Sequence, residues 1–97
     1  MESSFHGEVR FNHIHCSHKV RNFARKYLET WIIQHGLSSA STFYRVVFTR
    51  NGRGHTVECE VEVKSDKQRW TGFTISDDLH QSLVRCLEST SRSIAVT

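Results

Sequence analysis

The stretch VRFNHIHCSHKVRNF, residues 9–23, limits the possible folds more than any other part of the chain. Alternating apolar residues predict a first strand over residues 5–14, and Ser17 follows where a helix N-cap belongs. Apolar residues then recur at helical spacing over residues 20–32, and Gly36 follows as a C-terminal stop. A strand that leads through a cap into an amphipathic helix indicates a domain in which a sheet and helices share one core.

The rest of the chain predicts three further strands and a second helix. Aromatic and β-branched residues over 43–50 precede the turn sequence Asn51-Gly52-Arg53-Gly54, which favours a hairpin with the strand at 55–64. A turn at 65–67 leads to a fourth strand over 68–75. Ser76 or Asp77 is expected to cap the second helix. The apolar side of that helix consists of Leu79, Leu83, Cys86 and Leu87, with Thr90 and Ile94 as candidates for its last turns.

This order, β-α-β-β-β-α, predicts an α+β fold with a four-stranded, mostly antiparallel sheet and two helices packed on one face. The 97 residues are expected to form a single domain, with 1–4 and 95–97 flexible. In the third strand Glu58, Glu60 and Glu62 alternate with valines and Cys59, so the sheet face opposite the helices should be acidic and wet.

Composition argues against a membrane protein and against a disulfide framework. No segment reaches the roughly 18 apolar residues of a membrane span, and residues 1–5 contain no signal-peptide core. The three cysteines leave an odd number without paired spacing, which fits a reducing compartment. We therefore expect a cytoplasmic protein, either a monomer or a small homo-oligomer.

The net charge is only +3, so any electrostatic argument depends on where the cations lie. Outward-facing cations on two neighbouring helices would form a ridge suited to phosphates. Solvated helices also carry lysine and arginine for solubility, and composition alone does not separate these interpretations. The candidate RNA contacts are Lys19, Arg21, Arg25, Lys26, Arg85 and Arg92.

Neither a metal site nor an active site is expected. In an extended segment His13 and His15 would share a face while Cys16 points away, which leaves fewer ligands than zinc requires. The pair Asp77 and Asp78 is better explained as acid at a helix N-terminus than as an acid/base pair. The sequence therefore predicts no cofactor and a protein that is not an enzyme.

With these elements in order, the chain resembles the ribosome hibernation-promoting factor family, also called ribosome-associated inhibitor or sigma-54 modulation proteins. The resemblance covers residues 5–94. Its first local match is Asn12, Ile14, Cys16 and Ser17, followed by Val20-Arg21-Asn22-Phe23. Its second is the helix entry Asp78-Leu79-His80 with Leu83, Leu87 and the basic Arg92.

The resemblance implies binding to the small ribosomal subunit, in the channel for messenger and transfer RNA, through basic side chains on both helices. Such a protein blocks translation by occupancy and needs no chemistry. Arg21 and Arg92 match family positions, whereas Arg25, Lys26 and Arg85 rest on helix geometry. The chain departs from the family at Phe11, where a glycine is usual, in a second helix poor in lysine, and in a tail without lysines.

Two other functions remain open at the sequence level. A protein-interaction adaptor would use the glutamate face together with Trp70, if that side chain and not Phe73 points away from the core. A double-stranded RNA-binding domain has the order α-β-β-β-α as well. That domain opens its last helix with lysines, whereas this chain has Ser76, Asp77 and Asp78 there.

Overall fold

The structure is a computed structural model that describes residues 5–15, 17–38, 40–50, 56–65 and 68–94. Its elements are β1 (His6–Asn12), α1 (His18–Gln34), β2 (Thr42–Arg50), β3 (Val57–Ser65), β4 (Gln68–Ser76) and α2 (Leu79–Ile94). The predicted α+β fold and order of elements are confirmed. Some of the predicted features lie outside the described part. They are Cys16, the turn at 51–54, the predicted strand start at 55, residues 66 and 67 of the second turn, the two chain ends, and the side chains of 91–94, among them Arg92 and Ile94.

The four strands form one sheet in the order β1-β2-β3-β4. The β1 and β2 strands are parallel, and the other two neighbouring pairs are antiparallel. A parallel pair needs a crossover connection, which α1 supplies. The first strand ends at Asn12 and not at Ile14 as predicted, because His13 adopts a positive φ of 61° and the chain bends there.

Both helices begin at a side-chain cap. The hydroxyl of Ser17 accepts a hydrogen bond from the Val20 N–H at 3.4 Å, which confirms the predicted cap of α1. The cap of α2 is Asp78, whose carboxylate accepts from the Gln81 N–H at 2.9 Å. The prediction of Ser76 or Asp77 was wrong because β4 continues through Ser76 and delays the start of the helix.

The core lies between the two helices and the inner face of the sheet. Trp31 of α1 meets Trp70 of β4 edge to face, with ring centroids 5.8 Å apart. Cys59 of β3 and Cys86 of α2 are both fully buried, as their places on the apolar stripes predicted. Each helix therefore covers part of the same sheet face, and the opposite face is left to solvent.

Candidate nucleic-acid interface

Helix α1 carries the densest group of exposed cations among the candidates. The Ser17 cap sets the start of the helix, and Val20, Ala24 and Leu28 turn its apolar side to the sheet. Lys19, Arg25 and Lys26 are exposed, as predicted. Glu29 is the one acidic residue of the helix, so α1 as a whole is strongly positive. A surface of this kind attracts phosphates at long range.

Arg21 lies on the flank of α1 that faces β1, and it is half-buried there. Its guanidinium carbon sits 5.9 Å from the ring centroid of Phe11, within the range of a cation–π contact. The side chain is thus not on the fully outward face where the helical pattern placed it. Phe11, which supplies this aromatic ring, stands at the position where a glycine is usual in the family that the chain resembles.

Arg25 and Glu29 lie near the buried phenol of Tyr44. Burial is the main reason that the pKa of Tyr44 is raised, Glu29 raises it further, and Arg25 lowers it. Both charged side chains of α1 therefore act electrostatically on the Tyr44 phenol.

Helix α2 contributes less positive charge. Arg85 is exposed, and Glu88 is exposed one turn away. The side chain of Arg92, the other candidate on this helix, lies outside the described residues. The two helices are neighbours, because the rings of Phe23 and His80 lie 4.4 Å apart. The structure thus brings the candidates of α1 and Arg85 into one helical layer.

A groove of about 400 Å³ follows the flank of α1 that carries Phe23. Its described lining is largely aromatic, with a cation at the rim: Phe23, Lys26, Tyr27, Thr30, Trp31 and Gln34. The helical pattern assigned Phe23 and Tyr27 to the core, whereas both are only half-buried. Helical spacing alone does not separate the centre of the apolar stripe from its margin, so the groove could not be predicted from the sequence.

The outer face of the sheet is not the acidic surface that the glutamates predicted. Glu62 lies 2.6 Å from Arg69 and 3.9 Å from Arg45, measured between side-chain nitrogen and oxygen atoms. Arg45 also contacts Glu8 at 2.9 Å, and Glu8 contacts Arg10 at 3.4 Å. Arginines from β1, β2 and β4 thus neutralise much of this face, which a single-strand pattern could not show.

Trp70 is buried, with 5% of its surface exposed, so the adaptor hypothesis loses its aromatic contact. Phe73, three residues later in β4, points to the outer face instead and is 50% exposed. Next to it on the same face, Ile75 is 52% exposed. The exposed apolar side chains of β4 are therefore Phe73 and Ile75.

The chemistry-bearing residues do not assemble into a reactive centre within the described part of the chain. Among these residues no three His, Cys, Asp or Glu side chains lie together in a way that could hold a metal ion. The pKa of the Cys59 thiol is raised, first by its hydrogen bond with Cys86 and then by burial. A raised pKa disfavours the nucleophilic thiolate. No helix in the described segments is long and apolar enough to cross a membrane.

Two solved structures can be compared with this architecture. The N-terminal domain of Protein Y from Thermus thermophilus superposes with a TM-score of 0.70 and 13% identity, over 87% of this chain and 87% of that one. A ribosomal subunit interface protein from Coxiella burnetii gives a TM-score of 0.69 and 15% identity, over 94% of this chain and 99% of that one. The chain shares its fold with both.

This likeness confirms, for the fold, the resemblance drawn from the order of elements. The agreement extends over nearly the whole of both chains, so no large insertion separates this protein from the two structures. No family model and no curated protein matches the sequence. The likeness is therefore carried by the three-dimensional arrangement and not by sequence identity.

Proposed function

We propose that this protein binds RNA of the small ribosomal subunit through its helical layer and thereby inhibits translation on idle ribosomes. The observation that carries the proposal is the exposed group Lys19, Arg25 and Lys26 on α1, in a fold shared with a ribosomal subunit interface protein. This is the function that the resemblance to the ribosome hibernation-promoting factor family implies. A protein that inhibits by occupying the ribosome needs no catalysis and no cofactor, and we expect it to act in the cytoplasm.

The charge distribution supports the helical layer as the contact surface. Helix α1 carries four cations and one acid, whereas the arginines of the outer sheet face are engaged with glutamates. An arginine that already faces a carboxylate releases fewer counterions when it meets a phosphate. Arg21 and Arg85 lie at the edges of this surface. The proposed contact set also includes Arg92, whose side chain lies outside the described residues.

The experiment is co-sedimentation with purified small subunits over a series of salt concentrations. The test variant replaces Lys19, Arg25 and Lys26 by glutamine. Three lost phosphate contacts should lower the slope of log affinity against log salt by about 2 to 3. The matched control replaces Arg10, Arg45 and Arg69 by glutamine, which removes the same charge from the outer sheet face.

The proposal predicts binding at low salt that is lost at high salt, with a much larger effect of the α1 variant than of the control. Equal losses in both variants would mean that only net charge matters and that the helical surface has no special role. Absence from the small-subunit fraction at every salt concentration would refute ribosome binding itself.

A further inference from the structure

Strand β4 forms an edge of the sheet and presents an unusual set of outward side chains. It spans Gln68–Ser76 at the end of the strand order, and no further strand of the described chain pairs with it. Its outward residues are Arg69, Thr71, Phe73 and Ile75, and the last two are half exposed. Edge strands in soluble proteins are normally guarded by charge, by irregular backbone or by a covering element. The β1 edge follows that rule, since Glu8 and Arg10 lie on its outward side.

We propose that β4 pairs antiparallel with β4 of a second copy of this chain, with Phe73 on the two-fold axis. In that register each outward residue of one copy lies opposite a complementary residue of the other copy. Phe73 faces Phe73 of the second copy, Thr71 faces Ile75, and Arg69 faces Asp77. Side chains directly opposite one another in an antiparallel pair are the main contacts that stabilise a sheet. The sequence RWTGFTISD is thus self-complementary along its outer face.

Charge complementarity selects this register over its neighbours. Arg69 is largely exposed although it contacts Glu62 of its own chain at 2.6 Å, and Asp77, just beyond the strand, is exposed as well. A shift of one strand by two residues would set Arg69 against Ile75 in one direction and against Leu79 in the other. Either shift separates the cation from its acid. Only the register centred on Phe73 places two arginine–aspartate pairs at the two ends of an apolar centre.

The proposed pairing also determines how the two helical layers lie. An antiparallel pair across a two-fold axis perpendicular to the sheet puts both helical layers on the same side, with the two α2 helices adjacent. The contact between His80 and Phe23 marks the side of α2 that faces α1. On the opposite side of the helix, α2 carries Ser82, which is buried, Arg85, which is exposed, and Ser89, which is half-buried. The two copies of this side of α2 would face each other across the axis.

The first test is sedimentation equilibrium of the full chain at increasing protein concentration. We expect a monomer–dimer equilibrium. Phe73→Asp places two carboxylates on the axis and should raise the dimer dissociation constant at least about tenfold. Phe43→Asp is the matched control, because Phe43 is an exposed aromatic on the same face but lies in β2, away from the edge. A monomer at all concentrations, or a dimer that survives Phe73→Asp, would overturn the proposal.

The second test addresses the register, in a background with Cys16→Ser. Phe73→Cys should form an intermolecular disulfide under mild oxidation, since opposed residues lie within disulfide reach. Ile75→Cys should not, because its two copies would lie roughly 14 Å apart. Arg69→Asp should weaken the dimer, and adding Asp77→Arg should restore it. Cross-linking through Ile75→Cys would contradict this pairing, and so would a charge swap that does not restore the dimer. Binding of a different protein to the β4 edge, in place of a second copy, would also contradict it.

Discussion

At the scale of single residues, Gly72 has the strictest requirement in the described core. A Cβ atom there would collide with the Thr90 hydroxyl and lie 2.6 Å from the carbonyl oxygen of Cys86. Helix α2 therefore crosses β4 at backbone distance, which only glycine permits. The sequence shows a glycine inside a strand, a pattern typical of close approach, but it does not say what approaches.

We expect Gly72→Ala to lower the free energy of unfolding by about 3 kcal/mol, because α2 must move away from the sheet. Gly36→Ala is the comparison. Gly36 has a positive φ of 69°, but no atom lies within 4 Å of the place that an added methyl group would take. Gly36→Ala should therefore lower the free energy of unfolding only by the backbone strain of about 1 kcal/mol. Urea unfolding measures both, and equal losses would argue against the close crossing.

Tyr44 predicts how stability depends on alkaline pH. Because burial raises the pKa of its phenol, the folded protein holds this proton after the unfolded chain has released it. The stabilisation is complete below pH 10.0, the ordinary tyrosine value, and is lost as the pH rises further. Urea unfolding at stepped pH should show this fall, and Tyr44→Phe should reduce it. An unchanged slope in Tyr44→Phe would exclude Tyr44 as the cause.

At the scale of elements, the entry into α2 shows how a strand end determines a helix cap. Ser76, Asp77 and Asp78 all have capping side chains, so local sequence permits each of them. The pairing of Ser76 with Val57 keeps Ser76 in β4, and the Asp78 N–H then donates to the Ser76 hydroxyl at 3.4 Å, so that the helix begins only after Asp78. The pairing with β3 therefore excludes Ser76 as the cap, which the local sequence could not show.

Asp78→Ala should lower the free energy of unfolding by about 1 kcal/mol, because the Gln81 N–H loses its acceptor. Asp77→Ala, one position earlier, removes the same charge without removing the cap. We expect it to leave the stability of the monomer nearly unchanged in thermal unfolding at low protein concentration. If Asp77→Ala cost as much as Asp78→Ala, the stabilisation would come from helix-dipole charge and not from the cap.

At the scale of the whole molecule, Trp31 and Trp70 join α1 to β4 across the core. These elements belong to opposite ends of the strand order, since α1 crosses from β1 to β2 and β4 is the far edge. The tryptophan contact therefore links the two halves of the domain. Small domains with such a shared core usually unfold in one step.

We expect tryptophan fluorescence and far-UV circular dichroism to report the same unfolding midpoint. Trp70→Ala should lower the free energy of unfolding by about 3 to 5 kcal/mol. Trp70→Phe should lower it less, because the phenyl ring fills part of the space that the indole ring occupied. Two separate transitions in the wild-type protein would show that the halves unfold independently. Wild-type stability in Trp70→Ala would contradict the buried position.

Sequence patterns were sufficient for features that depend on neighbours along the chain. The helical period of α1, the Ser17 cap, the alternation of β3 and the order of elements all follow from local spacing. The candidate cations Lys19, Arg25 and Lys26 were likewise found from their place on a helix, because an apolar stripe implies an opposite, solvated side.

Features that depend on contacts between strands or helices were decided only by the tertiary structure. The glutamates of β3 looked like an acidic face until the sheet set Arg45 and Arg69 beside them. The alternation of β4 left Trp70 and Phe73 equally eligible for the core until packing against Trp31 chose between them. Local spacing thus determined which elements form and which side of α1 is basic. The charge of the sheet and the apolar edge of β4 depended on which strands became neighbours, and that information is not local in the sequence.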